Sequence, residues 1–293
     1  AEIQRRMATI HIDVDPAEIG KNMQAAIPLV GNGKVSRRQI LDRGAPVTNS
    51  AAWLEQLTDF RRAELNRRFP HREGYVFPGT VLRKLGARLD DDAVVCVDVG
   101  QNQIFTCKYL PQKNGRLLTS GGLGTMGYAL PAAVGAKVAR PDRQTIVVCG
   151  DGSFQMTSEE LATAFLDGTP IKIALLNNSV YGMVRQWQTL FYEHHYSATN
   201  LLDGENTPDI MDVPDFVKLA EAYGCVGMRA FTEEEAIECI KKANAINDRP
   251  VLIDFRMWKD AMVWPMVAAG ASNDDVTYMP GIKPLQRAAA ENE

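Results

Sequence analysis

The sequence has no apolar run near the roughly 18–20 residues of a membrane span, no signal-peptide pattern at its start and no internal repeat. Nor does it carry an excess of basic charge. Its 32 Lys and Arg stand against 36 Asp and Glu, a net charge of -4, so nothing favours a nucleic-acid or membrane partner. Histidine is scarce: there are four, and only His194 and His195 are adjacent. Neighbours on a helix point apart, so these two read as surface or loop residues rather than metal ligands. The five cysteines are an odd number without CxxC spacing. That excludes a paired disulfide frame and a zinc ribbon. Cys96 and Cys149 fall in predicted core strands, where a reduced buried thiol is expected, and a cytoplasm-like compartment follows (a plastid in a plant). The rest is ordinary: 293 residues, 45% apolar and 23% charged, enough for one large or two small domains.

The chain divides unevenly. Thr9 to Asp15 alternates like a strand but has no evident partner nearby, so residues 1–30 are expected to be the end of a preceding domain. Residues 31–74 read as a connector: a turn-rich start at Gly31–Lys34, then a helix from Ala51 to Phe69. Trp53, Leu54, Leu57, Phe60 and Leu65 would form that helix's apolar side, with Arg61, Arg62, Arg67 and Arg68 on a solvated face. From Tyr75 helices and strands alternate. The expected helices start at Pro78, Tyr128, Val180, Pro214 and Phe231. The expected strands are Ala93–Val97, Leu117–Ser120, Thr145–Cys149, Ile171–Leu176, Cys225–Arg229 and Val251–Phe255. Residues 75–260 are therefore expected to be an α/β domain, a doubly wound, mainly parallel sheet with helices on both faces. Residues 196–213 read as a polar loop, and 261–293 as a tail.

The most informative stretch runs from Gly150 to Asn178. A β-branched strand ends in Gly150-Asp151-Gly152, and a second strand ends in Asn177-Asn178. Between them lies a helix with a capping box expected at Thr157 and Glu160 and a stop at Gly168 and Pro170. A strand–helix–strand unit of this length makes the two strands parallel. Asp151 and Asn178 then face one another at the edge where open α/β sheets bind ligands. A carboxylate and an amide oxygen are hard donors suited to Mg²⁺ beside phosphate oxygens. The flanking glycines let backbone approach a diphosphate closely.

A competing pattern is Gly122-x-Gly124-x-x-Gly127, which matches the dinucleotide fingerprint, with Asp151 about two dozen residues beyond it. It supports an alternative, an NAD-dependent oxidoreductase or a non-catalytic nucleotide-binding module. The strand before these glycines is weak, and a ribose-binding acid does not require the Asn177-Asn178 pair.

The GDG and NN elements resemble the thiamin diphosphate motif. The segments Leu118–Gly127, Gly182–Gln188 and Pro214–Gly224 narrow the resemblance to the acetolactate synthase (acetohydroxyacid synthase) large catalytic subunit. It covers essentially the whole chain, with residues 1–30 resembling the end of that family's central, FAD-associated domain. The pyrimidine-binding domain of the family has no counterpart here.

The resemblance implies roles for matching residues. Asp151 and Asn178 would bind Mg²⁺ by side chain and Val180 by its carbonyl. Gly152 and Ser153, with Gln101 and Asn102, would hold the diphosphate. Gly124 and Met126 would grip the aminopyrimidine, with the Met126 side chain beneath the bent cofactor. Gly182 and Met183 would line the site, and Trp187 would shape the pocket for the second keto acid. Met126, Met183 and Trp187 are thus the residues nearest the chemistry. Gly121 and Gly122 would lie near FAD, most of which the rest of the enzyme binds. Trp264–Gly270 would fold over the entrance. The family usually has Gln-His-Gln-Met-Trp where this chain has Gln101-Asn102-Gln103-Ile104-Phe105, and Lys108 stands where a glutamine near the flavin is expected.

The implied function is a transferase of branched-chain amino-acid biosynthesis. Pyruvate loses carbon dioxide, and its two-carbon unit joins pyruvate or 2-oxobutyrate. The implied assembly is a homodimer or homotetramer, with a small regulatory subunit in some members. A related decarboxylase or pyruvate oxidase is the alternative within the same cofactor class. The family's activating glutamate belongs to the pyrimidine-binding domain, so the 293-residue chain alone is expected to be inactive.

Overall fold

Six short aliphatic segments between Val94 and Arg256 lie side by side in one sheet, every neighbouring pair parallel. They belong to a computed structural model that describes residues 8–44, 50–65, 72–111, 113–201, 213–272 and 275–280. The strands are β3 (Val94–Val97), β4 (Arg116–Thr119), β5 (Thr145–Gly150), β6 (Lys172–Asn177), β7 (Val226–Ala230) and β8 (Val251–Arg256). They stand in the order β4-β3-β5-β6-β8-β7. Strands buried on both faces need apolar residues at successive positions, not alternate ones. VVCV in β3 and TIVVC in β5 meet that requirement, and every residue of both runs is buried.

Alternate side chains enter two separate cores. Val95, Val97, Ile146, Val148, Ile253 and Phe255 pack with α3 (Pro78–Gly86), α4 (Gln101–Tyr109) and α10 (Glu233–Ala245). Val94, Cys96, Val147, Cys149 and Leu252 pack with α5 (Ala129–Ala139), α7 (Glu160–Leu166) and α9 (Phe216–Ala222). Helices thus cover both faces, the doubly wound arrangement expected. Two further helices flank the sheet's carboxyl edge: α6 (Asp151–Phe154), which follows β5 without a break, and α8 (Gly182–Phe191). Beyond β8, Met266–Val267 (β9) and Val276–Thr277 (β10) form a small antiparallel pair.

Several local expectations change. Thr157 and Glu160 form no capping box. The Thr157 hydroxyl instead donates to the Gly127 carbonyl at 2.9 Å, and α7 starts at Glu160 with no side-chain cap. A capping box is instead formed by Thr232 with Glu235, at the start of α10. Helix α4 was not expected, because its inward positions Gln101, Asn102 and Thr106 are polar and hide the helical period.

Within residues 1–64, β1 (Ile10–Asp13) does have a partner, β2 (Ile27–Val30), paired in parallel. The turn-rich Gly31–Lys34 opens a helix, α1 (Gly33–Asp42), whose cap Asn32 accepts the Lys34 N–H at 2.9 Å. The next helix, α2, spans Ala51–Leu65. Phe69, Arg67 and Arg68 lie outside the described residues. Trp53, Leu54 and Leu57 are exposed rather than packed.

At the amino end of β6, remote from the strands' carboxyl ends, Lys172 is buried and its ammonium donates to the Ile246 carbonyl. Burial, reinforced by neighbouring Lys137 and opposed by Asp248, lowers its pKa to about 8. The unfolded chain therefore binds more protons than the folded one between about pH 8 and the ordinary lysine value of about 10.4. A depressed folded pKa means that stability rises with pH across that window and is lost as pH falls through about 8. Urea unfolding at pH 8 and pH 10 should show this rise in the wild type, and Lys172→Met should flatten it.

Candidate functional site

The chain leaves β3 toward β4 on one side of the sheet and leaves β5 toward β6 on the other. Connections that diverge in this way open a crevice at the carboxyl ends of the two strands. A cavity of about 230 Å³ lies there. Its polar rim comes from three strand ends: Gly100, Gln101 and Asn102 after β3, Asp151, Gly152 and Ser153 after β5, and Asn178 and Val180 after β6. Val99, Phe105, Leu176, Met257 and Trp258 supply apolar wall.

The residues singled out from sequence largely converge. Gln101, Asn102, Gly124, Met126, Asp151, Gly152, Ser153, Asn178, Val180, Gly182 and Met183 all line this cavity. The two asparagines after β6 divide the work. Asn177 is buried, and its Oδ1 accepts the Ser179 N–H at 3.2 Å and the Ser179 hydroxyl at 3.3 Å, holding Ser179 at φ 58°. Asn178 faces the cavity, and its Oδ1 accepts the Val180 N–H at 3.2 Å. Two glycines are required by contact. A Cβ on Gly152 would lie 2.5 Å from the Tyr181 ring, and one on Gly182 would lie 2.1 Å from Gln101 Oε1.

Three expected residues lie elsewhere. Gly121 and Gly122 are exposed and do not line the cavity. Trp187 is 45% exposed and borders a separate surface depression with Val184, Gln188, Phe191 and Tyr192. Helix α8 buries Arg185 and Gln186 and turns its apolar residues outward, the reverse of the usual amphipathic reading. Asn102 lines the cavity, but its Nδ2 donates to the carbonyls of Asp98 at 2.8 Å and Val148 at 3.4 Å. The side-chain atom it has left to offer is an acceptor, so its side chain donates no hydrogen bond to a diphosphate in this arrangement. Lys108 donates to the Trp264 carbonyl. Sequence reasoning missed Tyr181, Met257, Trp258 and Ala261, which are apolar or small residues without a motif.

The glycine run is not a dinucleotide loop. Asp98 Oδ1 accepts the N–H groups of Val99 at 2.8 Å and Gly127 at 3.0 Å, and Oδ2 accepts that of Ala129 at 3.1 Å. A carboxylate of the chain itself thus occupies the amino end of α5, where a pyrophosphate would have to sit. The strand before the glycines, β4, is also separated by β3 from β5, which carries Asp151.

Asp151 is 1% exposed, and its Oδ2 has no hydrogen-bond partner. Burial pushes its pKa up to about 7, while backbone N–H groups of Asp151, Gly152 and Ser179 and the Arg256 charge pull it down. A buried carboxylate with an unmatched oxygen is a cost unless a cation sits against it. With the Asn178 oxygen and the Val180 carbonyl, it forms the oxygen-rich, neutral-to-acidic donor set that Mg²⁺ takes beside phosphate. The described residues contain no cluster of three His, Cys, Asp or Glu side chains able to hold a metal, and a set completed by amide and carbonyl oxygens needs none. The residues present therefore fit a Mg²⁺–diphosphate group. In its absence Asp151→Asn should stabilise the chain by about 1–2 kcal/mol near neutral pH, because an uncompensated buried charge is removed. Thermal unfolding without added cation would show a higher midpoint, and adding Mg²⁺ with thiamin diphosphate should reverse the ranking.

Comparison with known proteins agrees with this geometry. An acetolactate synthase from Mycobacterium leprae is 47% identical over 94% of this chain and 44% of its own length. The acetolactate synthase large subunit of Corynebacterium glutamicum is 45% identical over the same two shares. The mitochondrial acetolactate synthase catalytic subunit of Saccharomyces cerevisiae is 37% identical over 98% of this chain and 41% of its own. The chain thus spans less than half the length of these curated relatives. The family model described as thiamine pyrophosphate enzyme, C-terminal TPP binding domain, matches residues 98–255, more than half of the chain. Those residues also build the crevice around Asp151: the chain belongs to the thiamine pyrophosphate enzymes, and this region is their C-terminal TPP-binding domain.

Proposed function

We propose that the chain supplies the diphosphate- and Mg²⁺-holding half of an acetolactate synthase active site. The observation that carries the proposal is the unpartnered Asp151 oxygen at the β5 end, facing a cavity shared with Asn178, Val180 and Met183. The names of the similar proteins give acetolactate as the product, and the resemblance implies the route: decarboxylation of pyruvate, then transfer of the two-carbon unit to pyruvate or 2-oxobutyrate. Thiamin diphosphate, when bound, supplies the nucleophilic carbon and the electron sink for that chemistry.

The chain's own residues position and shield. Asp151, Asn178 and the Val180 carbonyl would hold Mg²⁺. The N–H groups of Gly152 and Ser153, in the first turn of α6, would face the diphosphate. The Ser153 hydroxyl donates to the Val99 carbonyl at 3.1 Å and so keeps α6 against the β3 end. The Gly124 carbonyl and Met126 N–H would take the aminopyrimidine, with the Met126 side chain beneath it. Gly124 has φ 73°, a backbone turn that a residue with a side chain rarely adopts. Phe105, Leu176, Met257 and Trp258 exclude water, which strengthens electrostatic contacts at the reacting centre. Gly121 and Gly122 would approach FAD, and Trp187, outward on α8, would border the acceptor site once a second protein surface covers it. Dimeric or tetrameric assembly supplies that surface, and a regulatory subunit acts on the assembled enzyme.

The test is a titration of the 293-residue chain with thiamin diphosphate and Mg²⁺, followed by the fluorescence of Trp258 in the cavity wall. Saturable quenching that needs both components is expected, and Asp151→Ala should weaken it at least tenfold. Unchanged binding by Asp151→Ala would remove the metal assignment. In the intact protein that carries this chain, acetolactate from pyruvate is expected. Acetaldehyde or acetyl phosphate as the main product would favour a decarboxylase or an oxidase.

A further inference from the structure

Three amides, the buried Gln186 and Gln101 and the partly buried Asn178, connect the segment after β8 to the cavity. Gln186 on α8 is 1% exposed. Its Nε2 donates to the Val263 carbonyl at 2.9 Å, and its Oε1 accepts the Val263 N–H at 2.9 Å. The same Oε1 accepts from Gln101 Nε2 at 2.8 Å. Gln101 Nε2 also donates to the Ala261 carbonyl at 3.1 Å. Gln101 Oε1 in turn accepts from Asn178 Nδ2 at 3.5 Å.

The direction of this chain of bonds is fixed by backbone. A backbone N–H can only donate and a carbonyl can only accept. Val263 therefore dictates which end of the Gln186 amide is oxygen. That oxygen, with the Ala261 carbonyl, dictates that Gln101 turns its nitrogen toward them. The Gln101 oxygen is left facing Asn178, which must meet it with nitrogen. The Asn178 oxygen is then the atom turned toward Val180. Rotating any one amide by half a turn would set two donors or two acceptors against each other in a buried place, at the cost of an unsatisfied polar group.

From this we infer that Gln186 is a positioning residue: through Gln101 it sets the Asn178 amide so that its oxygen, not its nitrogen, is the atom offered to a cation. The inference rests on the reading of Asn178 as a Mg²⁺ ligand. It extends that reading by making the Ala261–Val263 backbone part of the machinery for binding the cation. Outer partners that orient metal ligands are typically worth 10- to 100-fold in metal affinity. Met257, Trp258 and Ala261 line the cavity, so docking of this segment and cation binding are coupled, and the coupling is reciprocal.

The experiment is a calorimetric titration of the full chain with Mg²⁺ at saturating thiamin diphosphate. Gln186→Met keeps the side chain's length and removes its hydrogen bonds. It should raise the Mg²⁺ dissociation constant about tenfold. Gln101→Met should do much the same, and the double variant should be no worse than the weaker-binding single one, because both cut the same relay. Independent structural damage would instead make the two effects multiply. If the wild type fails to bind Mg²⁺ and thiamin diphosphate, the reading of the site falls and the relay with it. If the wild type binds and the variants stay within twofold of it, or their effects multiply, the relay alone is overturned. Hydrogen exchange of the Val263 N–H gives a second measurement that needs no variant. This group bonds to Gln186 and lies outside the cavity lining, so loading the wild type should slow its exchange. An unchanged rate overturns the proposal.

Discussion

Parallel pairing is the constraint from which the rest follows. It places every strand's carboxyl end on one edge of the sheet, and with it the polar residues that terminate each apolar run. Two aspartates make the point. Asp98 follows β3 and Asp151 follows β5, and both are 1% exposed. Asp98 is satisfied by three backbone N–H groups and holds the 121–127 glycine run against the sheet. Asp151 lies at the next strand end with one oxygen unmatched. The same residue type in neighbouring positions is thus a brace in one case and an open ligand in the other. The difference lies in where the donors fall: both Asp98 oxygens accept backbone N–H groups, whereas Asp151 Oδ2 accepts none.

The brace also explains why the glycine run misleads when read alone. Its φ values at Gly124 and Gly127 are positive, as a tight phosphate loop would have. Yet Gly127 gives its N–H to Asp98 and its carbonyl to the Thr157 hydroxyl. Both polar groups are spent inside the protein. Thr157, read as a helix cap, is turned to the loop instead: its hydroxyl donates to the Gly127 carbonyl, and α7 starts without a side-chain acceptor.

The sheet was legible because burial on both faces demands unbroken aliphatic runs, and VVCV, TIVVC and KIALL have them. Asp151 and Asn178 were legible because parallel strands bring their ends together whatever lies between. Helix α4 was not, since its inward positions are polar: Gln101 and Asn102 line the site, and the buried Thr106 hydroxyl donates to the Asn102 carbonyl. Helix α8 was legible as a helix, but it reverses the usual amphipathic arrangement. Its apolar Val184, Trp187 and Phe191 are exposed, and its polar Arg185 and Gln186 are buried. Periodicity reports which face is apolar, not which face is covered. At a functional site the two part company, because the covered face must hold polar groups in place.

That reversal has a reason in electrostatics. Near a carboxylate already destabilised by burial, a further unpaired charge would be costly. The charged residue that α8 does bury, Arg185, is answered by Asp260 at 2.9 Å and Asn200 at 2.7 Å, and it lies over the Tyr196 ring. Toward the cavity the helix instead presents the amide of Gln186, followed by that of Gln101. Amides carry direction without net charge. They fix orientation through hydrogen bonds whose polarity the backbone sets, and they leave the local charge balance to Asp151. A small cavity offered to both a dication and a diphosphate would gain from neutral scaffolding, since each added charge would shift the affinity for one at the expense of the other.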